Sequence, residues 1–259
     1  MQFIDTHAHL YLNEFDADRS EMISRAIQAG VGTLLLPNLD SGSLPALLSL
    51  CDAYPMHCLP MIGLHPTSVK DDYLDELEMV DKQLNERKFF AIGEIGIDLF
   101  WDKTYLEQQQ IAFRHQLKLA KARCLPVAIH MRNSFEQIYS ILYEESDASL
   151  QGIFHCFSGN IQQAKRVIEL GFLLGIGGLV TFKNSELQDV IKEIDLKHLV
   201  FETDAPFLAP APFRGKRNES SYIPLIAEKI ASLKNIPLAD VARITTANAR
   251  NLFKINHKI

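Results

Sequence analysis

Eight short apolar runs recur along this chain, separated by longer amphipathic segments. The runs are FIDT (3–6), TLLLP (33–37), CLPMIGL (58–64), FFAIGEI (89–95), PVAIH (126–130), GIFH (152–155), FLLGIG (172–177) and LVFETD (199–204). Each is nearly continuously apolar, as a parallel strand covered on both faces reads; a strand with one wet face alternates instead. The segments between them carry a helical period. Residues 16–29 put Met22, Ile23, Ala26 and Ile27 at helical spacing before Gly30. Residues 104–122 do the same with Leu106, Ile111, Phe113, Leu117, Leu119 and Ala120. Residues 160–171 open on Asn160, a good N-cap, and close on Gly171. Eight strands alternating with helices predict an α/β fold, a (β/α)8 TIM barrel, as a single domain over residues 1–259. A doubly wound open sheet also alternates, but no glycine-rich phosphate loop follows the first strand.

The chain has 259 residues, of which 47% are hydrophobic and 22% charged, ordinary values for a globular protein large enough to bury a sizeable core. The formal charge of −6 argues against a general duplex-binding protein. It leaves room for a nuclease, because bound cations and a few local basic groups can meet phosphates. Cys51, Cys58, Cys124 and Cys156 form no CxxC pair and read as free thiols of a reducing compartment. No basic stretch leads into an apolar one near residue 1, and no run approaches the roughly 20 apolar residues of a membrane span. A cytoplasmic protein with no membrane association is expected, and no feature points to a protein partner.

A barrel of this kind keeps its site at the C-terminal ends of its strands. The first run ends in His7 and His9, which share a face because side chains along a strand alternate. The third ends in His65, the fourth holds Glu94, the fifth ends in His130, the sixth in His155 and the eighth in Asp204. Five of the nine histidines therefore fall at strand ends. His57, His115, His198 and His257 have plain readings as loop, helix or tail residues. A lone strand-end histidine reads as a packing residue; four with two carboxylates on one rim read as a metal centre. His7, His9 and Asp204 can hold one divalent ion and His130 and His155 a second, with Glu94 bridging. Imidazole with carboxylate suits Zn, Mn, Fe or Ni better than an all-oxygen Mg site. Two such ions clamp the oxygens of a displacement and activate a water, and Asp204 can take its proton. Asp204 and Glu94 are thus the candidate catalytic groups. Cys156 is expected to point away from the site, into the barrel wall.

The motifs FIDTHAHL, IGLHP, GEIGID, HCFSG and ETDAPFLAP resemble the TatD family of metal-dependent hydrolases, within the amidohydrolase-like barrels. The resemblance runs from Phe3 to TTANARNLF at 245–253. It implies a TIM-like barrel, a divalent metal centre and hydrolysis, commonly of DNA. It also implies His7, His9, Glu94, His130, His155 and Asp204 as metal ligands, and His65 and Arg132 as phosphate contacts. FRGKRNES (213–220) resembles the family's loop after the last strand and puts Arg214, Lys216 and Arg217 in a basic patch, where Arg214 and Arg217 can meet a phosphate backbone. Three positions depart from the family: Ser220 stands for a proline, Asn133 for an acid, and GIDLFWDK brings Trp101 to the rim. That indole can stack on a base or cover the barrel mouth. The reading that follows is a two-metal deoxyribonuclease, acting 3′ to 5′ on single-stranded DNA, with the ions being Zn, Mn or Mg. Two others stay open: a hydrolase of carboxylic esters or amides, such as an aminoacyl-tRNA deacylase or lactonase, and a metal-binding protein without turnover.

Overall fold

A computed structural model describes residues 1–145, 147 and 149–255, so His257 lies outside the described residues. The strands are β1 (Phe3–Asp5), β2 (Val31–Leu36), β3 (Cys58–Pro60), β4 (Ile92–Asp98), β5 (Val127–Arg132), β6 (Gly152–Phe154), β7 (Leu173–Ile176) and β8 (Leu199–Phe201). The helices are α1 (Arg19–Gln28), α2 (Leu44–Ala53), α3 (Tyr73–Glu86), α4 (Leu106–Arg123), α5 (Phe135–Glu145), α6 (Ile161–Glu169), α7 (Leu187–Glu193), α8 (Ile223–Lys234) and α9 (Leu238–Phe253). Each of the eight apolar runs yields one strand. The Asn160 reading holds in detail: its side chain accepts from Gln163 N, and Gln163 returns the bond to Asn160 N.

All strand pairs are parallel, in two ladders, β1–β2–β3 and β4 through β8 in order. Two single bridges join them. Ile62 pairs with Ile92 after β3, and Ala8 pairs with Ala205 after β8. Thr6 N donates to Phe201 O at 2.9 Å and Asp204 N to His7 O at 2.9 Å, so β8 returns to β1. This is the (β/α)8 barrel. Its inner layer takes Ile4, Leu35, Leu59, Ala128, Ile153 and Val200 from six strands, with Ala91 at the foot of β4. Ala249, Leu252 and Phe253 of α9, with Ile255, pack on that layer and form its floor. The larger core cluster lies between the strands and the helices around them. Among the described residues, no helix is long and apolar enough to cross a membrane.

Two strand limits differ from expectation. The run 58–64 is regular strand only to Pro60, although Met61 N still donates to Leu36 O at 2.8 Å; toward β4, Pro60 offers no N–H, only its carbonyl to Phe90 N, and the pairing there is a single bridge at Ile62. The fourth strand begins at Ile92 and continues to Asp98. Its pairing with β5 shifts register between Ile92 and Ile95, around Glu94. Gly96 makes the continuation possible: its φ is +145°, and a Cβ there would lie 2.1 Å from the His130 carbonyl oxygen.

Candidate metal centre

Glu94 stands at the middle of the C-terminal rim, 2% exposed, with five imidazoles around its carboxylate. Its Oε2 lies 3.0 Å from His7 Nε2 and 3.3 Å from His9 Nε2. Its Oε1 lies 2.7 Å from His155 Nε2, 2.8 Å from His130 Nδ1 and 3.2 Å from His65 Nε2. Asp204 completes the Oε2 side, its Oδ1 being 3.6 Å from His9 Nε2 and 3.9 Å from His7 Nε2. The six residues expected at strand ends therefore lie together, His7 and His9 on the Oε2 side of Glu94 and His130 and His155 on its Oε1 side. His65 joins them.

The donor set fits divalent cations. A carboxylate offers about four lone-pair sites, and five imidazoles crowd this one. His7 Nδ1 and His155 Nδ1 are buried with no hydrogen-bond partner. Three sets in which the ligand atoms lie within 4.8 Å of one another occur among the described residues: His7–His155–Asp204, His7–His9–Glu94 and His65–Glu94–His130.

Electrostatics separate the roles. Burial works to raise the Glu94 carboxyl, but His155, His65 and His7 outweigh it and hold it well below the ordinary range. Burial also opposes charge on His130, yet its bonds to Asp98 and Glu94 prevail and push it up to about 9. Burial keeps His65 below the usual imidazole value. Its Nδ1 accepts from Thr67 N at 3.1 Å, so the neutral ring carries its proton on Nε2, toward Glu94. Burial raises Asp204, against the pull of His155 and His9.

Two buried acids beside the centre were not among the expected site residues. Asp98 Oδ2 lies 2.8 Å from His130 Nε2, and its Oδ1 accepts from Phe100 N at 2.8 Å and Trp101 N at 3.3 Å. Glu202 is fully buried, 3.8 Å from His155 Nδ1, and burial pushes its carboxyl well up. Both had a signal, since Asp98 follows Glu94 by four residues and Glu202 precedes Asp204 by two, spacings that share a strand face.

A cavity of about 630 Å³ opens above Glu94. His9, His65, Asp98, His130, His155 and Asp204 line its depth, and Trp101, Arg132, Leu179, Phe207 and Leu208 its sides and mouth. Cys156 also borders it, contrary to the expected place in the wall. β6 ends at Phe154 and Cys156 takes a φ of +46°, so strand alternation no longer sets its direction. Arg132 is exposed, its guanidinium 3.8 Å from the Phe100 ring centroid. Arg214 lies over the Phe182 ring at 4.5 Å, outside the cavity lining. Arg217 is already engaged: both Nη atoms bond Asp18, and Nη1 donates to Glu14 O. The remaining histidines stand apart, His57 on Gly32 O at 2.8 Å and His115 beside Asp81 at 3.1 Å.

Comparison with known proteins follows the same lines. Residues 4–254 match the family model described as TatD related DNase. The chain belongs to the TatD family. It is 40% identical over 253 residues to an "uncharacterized metal-dependent hydrolase", YabD of Bacillus subtilis, covering 97% of this chain and 99% of that one. It is 32% identical over 257 residues to the "3'-5' ssDNA/RNA exonuclease TatD" of Pectobacterium parmentieri, covering 97% and 99%. The crystal structure of YjjV, a TatD homologue from Escherichia coli, superposes with a TM-score of 0.90 at 34% identity, covering 98% of each chain. TatD relatives are thus named as metal-dependent hydrolases, with a nuclease among them.

Proposed function

We propose that this TatD-family chain is a one-domain phosphodiesterase that uses two divalent ions to remove nucleotides from the 3′ end of single-stranded DNA. The observation that carries the reading is the division of donors around Glu94, beside an arginine that makes no ion pair among the described residues. His7, His9, Asp204 and Glu94 Oε2 would hold one ion, and His130, His155 and Glu94 Oε1 the other. Bound Zn, Mn or Mg would supply Lewis acidity at the phosphoryl oxygen and bring a water's pKa toward neutrality.

The chain's own groups do the rest. His65 donates its Nε2–H to a phosphate oxygen, a role supported by the Thr67 bond that keeps Nδ1 unprotonated. Arg132 meets the same charge from the cavity side. Asp204 accepts the proton of the attacking water. Arg214 faces solvent at the rim, where a strand leaving the cavity would pass. Arg217, bound to Asp18, serves the loop rather than the substrate.

End-labelled single-stranded DNA, given to metal-depleted protein and then supplied with Mg²⁺, Mn²⁺ or Zn²⁺, tests this. The expected result is metal-dependent, stepwise loss from the 3′ end. Glu94→Ala or His130→Ala should lower turnover by more than roughly 100-fold, beyond what an outer-shell change costs, with the fold retained. Wild-type-like turnover in either variant would remove the assignment. The apolar side chains of Leu12, Leu39 and Leu179 along the cavity favour the second reading, an ester or amide substrate. No DNA cleavage with any metal, alongside hydrolysis of an aryl ester or lactone, would select it.

A further inference from the structure

One feature of the cavity mouth is unexplained by the chemistry beneath it. Trp101, the single tryptophan of the chain, is 70% exposed, and its neighbour Phe100 is 49% exposed. An indole can bury 150–250 Å² of largely apolar surface, so leaving one in water forgoes stabilisation that a packed position would give. The backbone that carries these rings is held in place. Asp98 Oδ1 accepts the backbone N–H of both residues while its Oδ2 engages His130, so one carboxylate ties this loop to the metal centre. Gln109 of α4 then fixes Asp98 from behind, its Oε1 accepting from Asp98 N at 2.9 Å.

Arg132 adds the second observation. Its guanidinium lies 3.8 Å from the Phe100 ring centroid and 5.1 Å from that of Trp101. Among the described residues it makes no ion pair, so its charge is free to meet an anion. Trp101 and Arg132 line the same cavity as Glu94 and Asp204. On the β8 side, four strands around the ring, Phe207 and Leu208 line it too, 47% and 41% exposed. The mouth therefore pairs a flat aromatic face and a free guanidinium with an apolar opposite rim. Its volume of about 630 Å³ lies within the range of small-ligand sites.

We propose that Trp101 is a stacking platform for the base at the 3′ end of a single strand, with Arg132 beside it on the adjoining phosphate. This rests on the phosphodiesterase reading and adds the part of the nucleotide that the metal centre does not touch. Every base has a π face, so such a platform favours nucleotides over abasic sugar phosphates without selecting a sequence.

Because Trp101 is the only tryptophan, tryptophan fluorescence, excited beyond the tyrosine band, reports on this position alone. The Zn²⁺-loaded full chain is titrated with a phosphorothioate-linked deoxythymidine trinucleotide, which resists cleavage, and with the same trinucleotide abasic at its 3′ residue. Saturable quenching by the first, at a midpoint at least roughly tenfold below that of the second, is expected. On phosphodiester strands with Mn²⁺, the wild-type preference in kcat/KM for base-ended over abasic-ended strands should be roughly 10- to 100-fold and collapse toward one in Trp101→Ala. Equal quenching by both ligands, no quenching, or an unchanged preference in the variant would overturn the platform. Cleavage of both ends at one rate would overturn it while leaving the nuclease. Base-dependent quenching without cleavage of any phosphodiester would keep the platform and overturn the nuclease reading.

Discussion

Asp98 does at residue scale what a histidine proposed to bind metal needs from a neighbour. It holds His130 Nε2 at 2.8 Å, leaving Nδ1 to face Glu94. Outer partners of this kind fix ring orientation and raise ligand basicity, and their loss typically costs about 10- to 100-fold in metal affinity. Asp98→Ala should weaken Zn²⁺ or Mn²⁺ binding by that factor in a calorimetric titration. Asp98→Asn, which can still bond the ring, should recover part of it. Unchanged affinity in the alanine variant would show that Glu94 alone positions His130. Asp98 and Glu202 illustrate what a strand-end reading sees and what it passes over. His7, His9, His130, His155 and Asp204 were legible because each closes an apolar run. Glu202 sits within such a run and Asp98 lies three residues beyond one, so each signals itself only through shared strand parity with a neighbouring site residue.

At the scale of elements, the loop after β8 is pinned to α1 by charge. Asp18 bonds Arg217 through both oxygens and Arg25 at 2.8 Å, and Arg25 reaches Glu219 at 2.7 Å. The basic stretch at 213–220 looked uniform in the sequence, where Arg217 was as good a phosphate contact as Arg214. Its partner lies 199 residues away, and only the closure of β8 on β1 brings the two together. Hydrogen bonds from Arg217 and Arg25 hold the Asp18 carboxyl well below its ordinary value. A depressed folded-state pKa gives stability that is present above the unfolded value of about 3.9 and lost as pH falls toward the folded one. Asp18→Asn should therefore melt roughly 2–4 °C below wild type at pH 7, and the gap should narrow steadily below about pH 4. A gap independent of pH would mean that shape, not charge, joins loop and helix. The strand limits at this scale were less legible than the strands themselves. Ladder bonds decide them, and Pro60 and Gly96 alter those bonds in ways that hydrophobicity does not record.

For the whole molecule, the barrel and its order of strands follow from the eightfold repeat, but the floor does not. α9 reads as one more amphipathic helix, yet Ala249, Leu252 and Phe253 face the barrel's inner layer. Phe253 is 2% exposed beneath that layer. Truncating a buried phenylalanine costs about 3–5 kcal/mol. Phe253→Ala should lower the melting temperature by roughly 6–15 °C while metal affinity at 20 °C stays within about twofold. A loss under about 1 kcal/mol would show that the inner layer collapses to fill the gap.

The order of these parts along the chain has a consequence for synthesis. His7 and His9 emerge first and wait for Asp204, whose N–H closes on the His7 carbonyl, and the floor beneath them follows only with α9. A chain still on the ribosome, with its last strand and helix inside the exit tunnel, thus holds most of the donors without the frame that aligns them. A metal centre of this design is therefore framed only once β8 and α9 have joined the strands made before them.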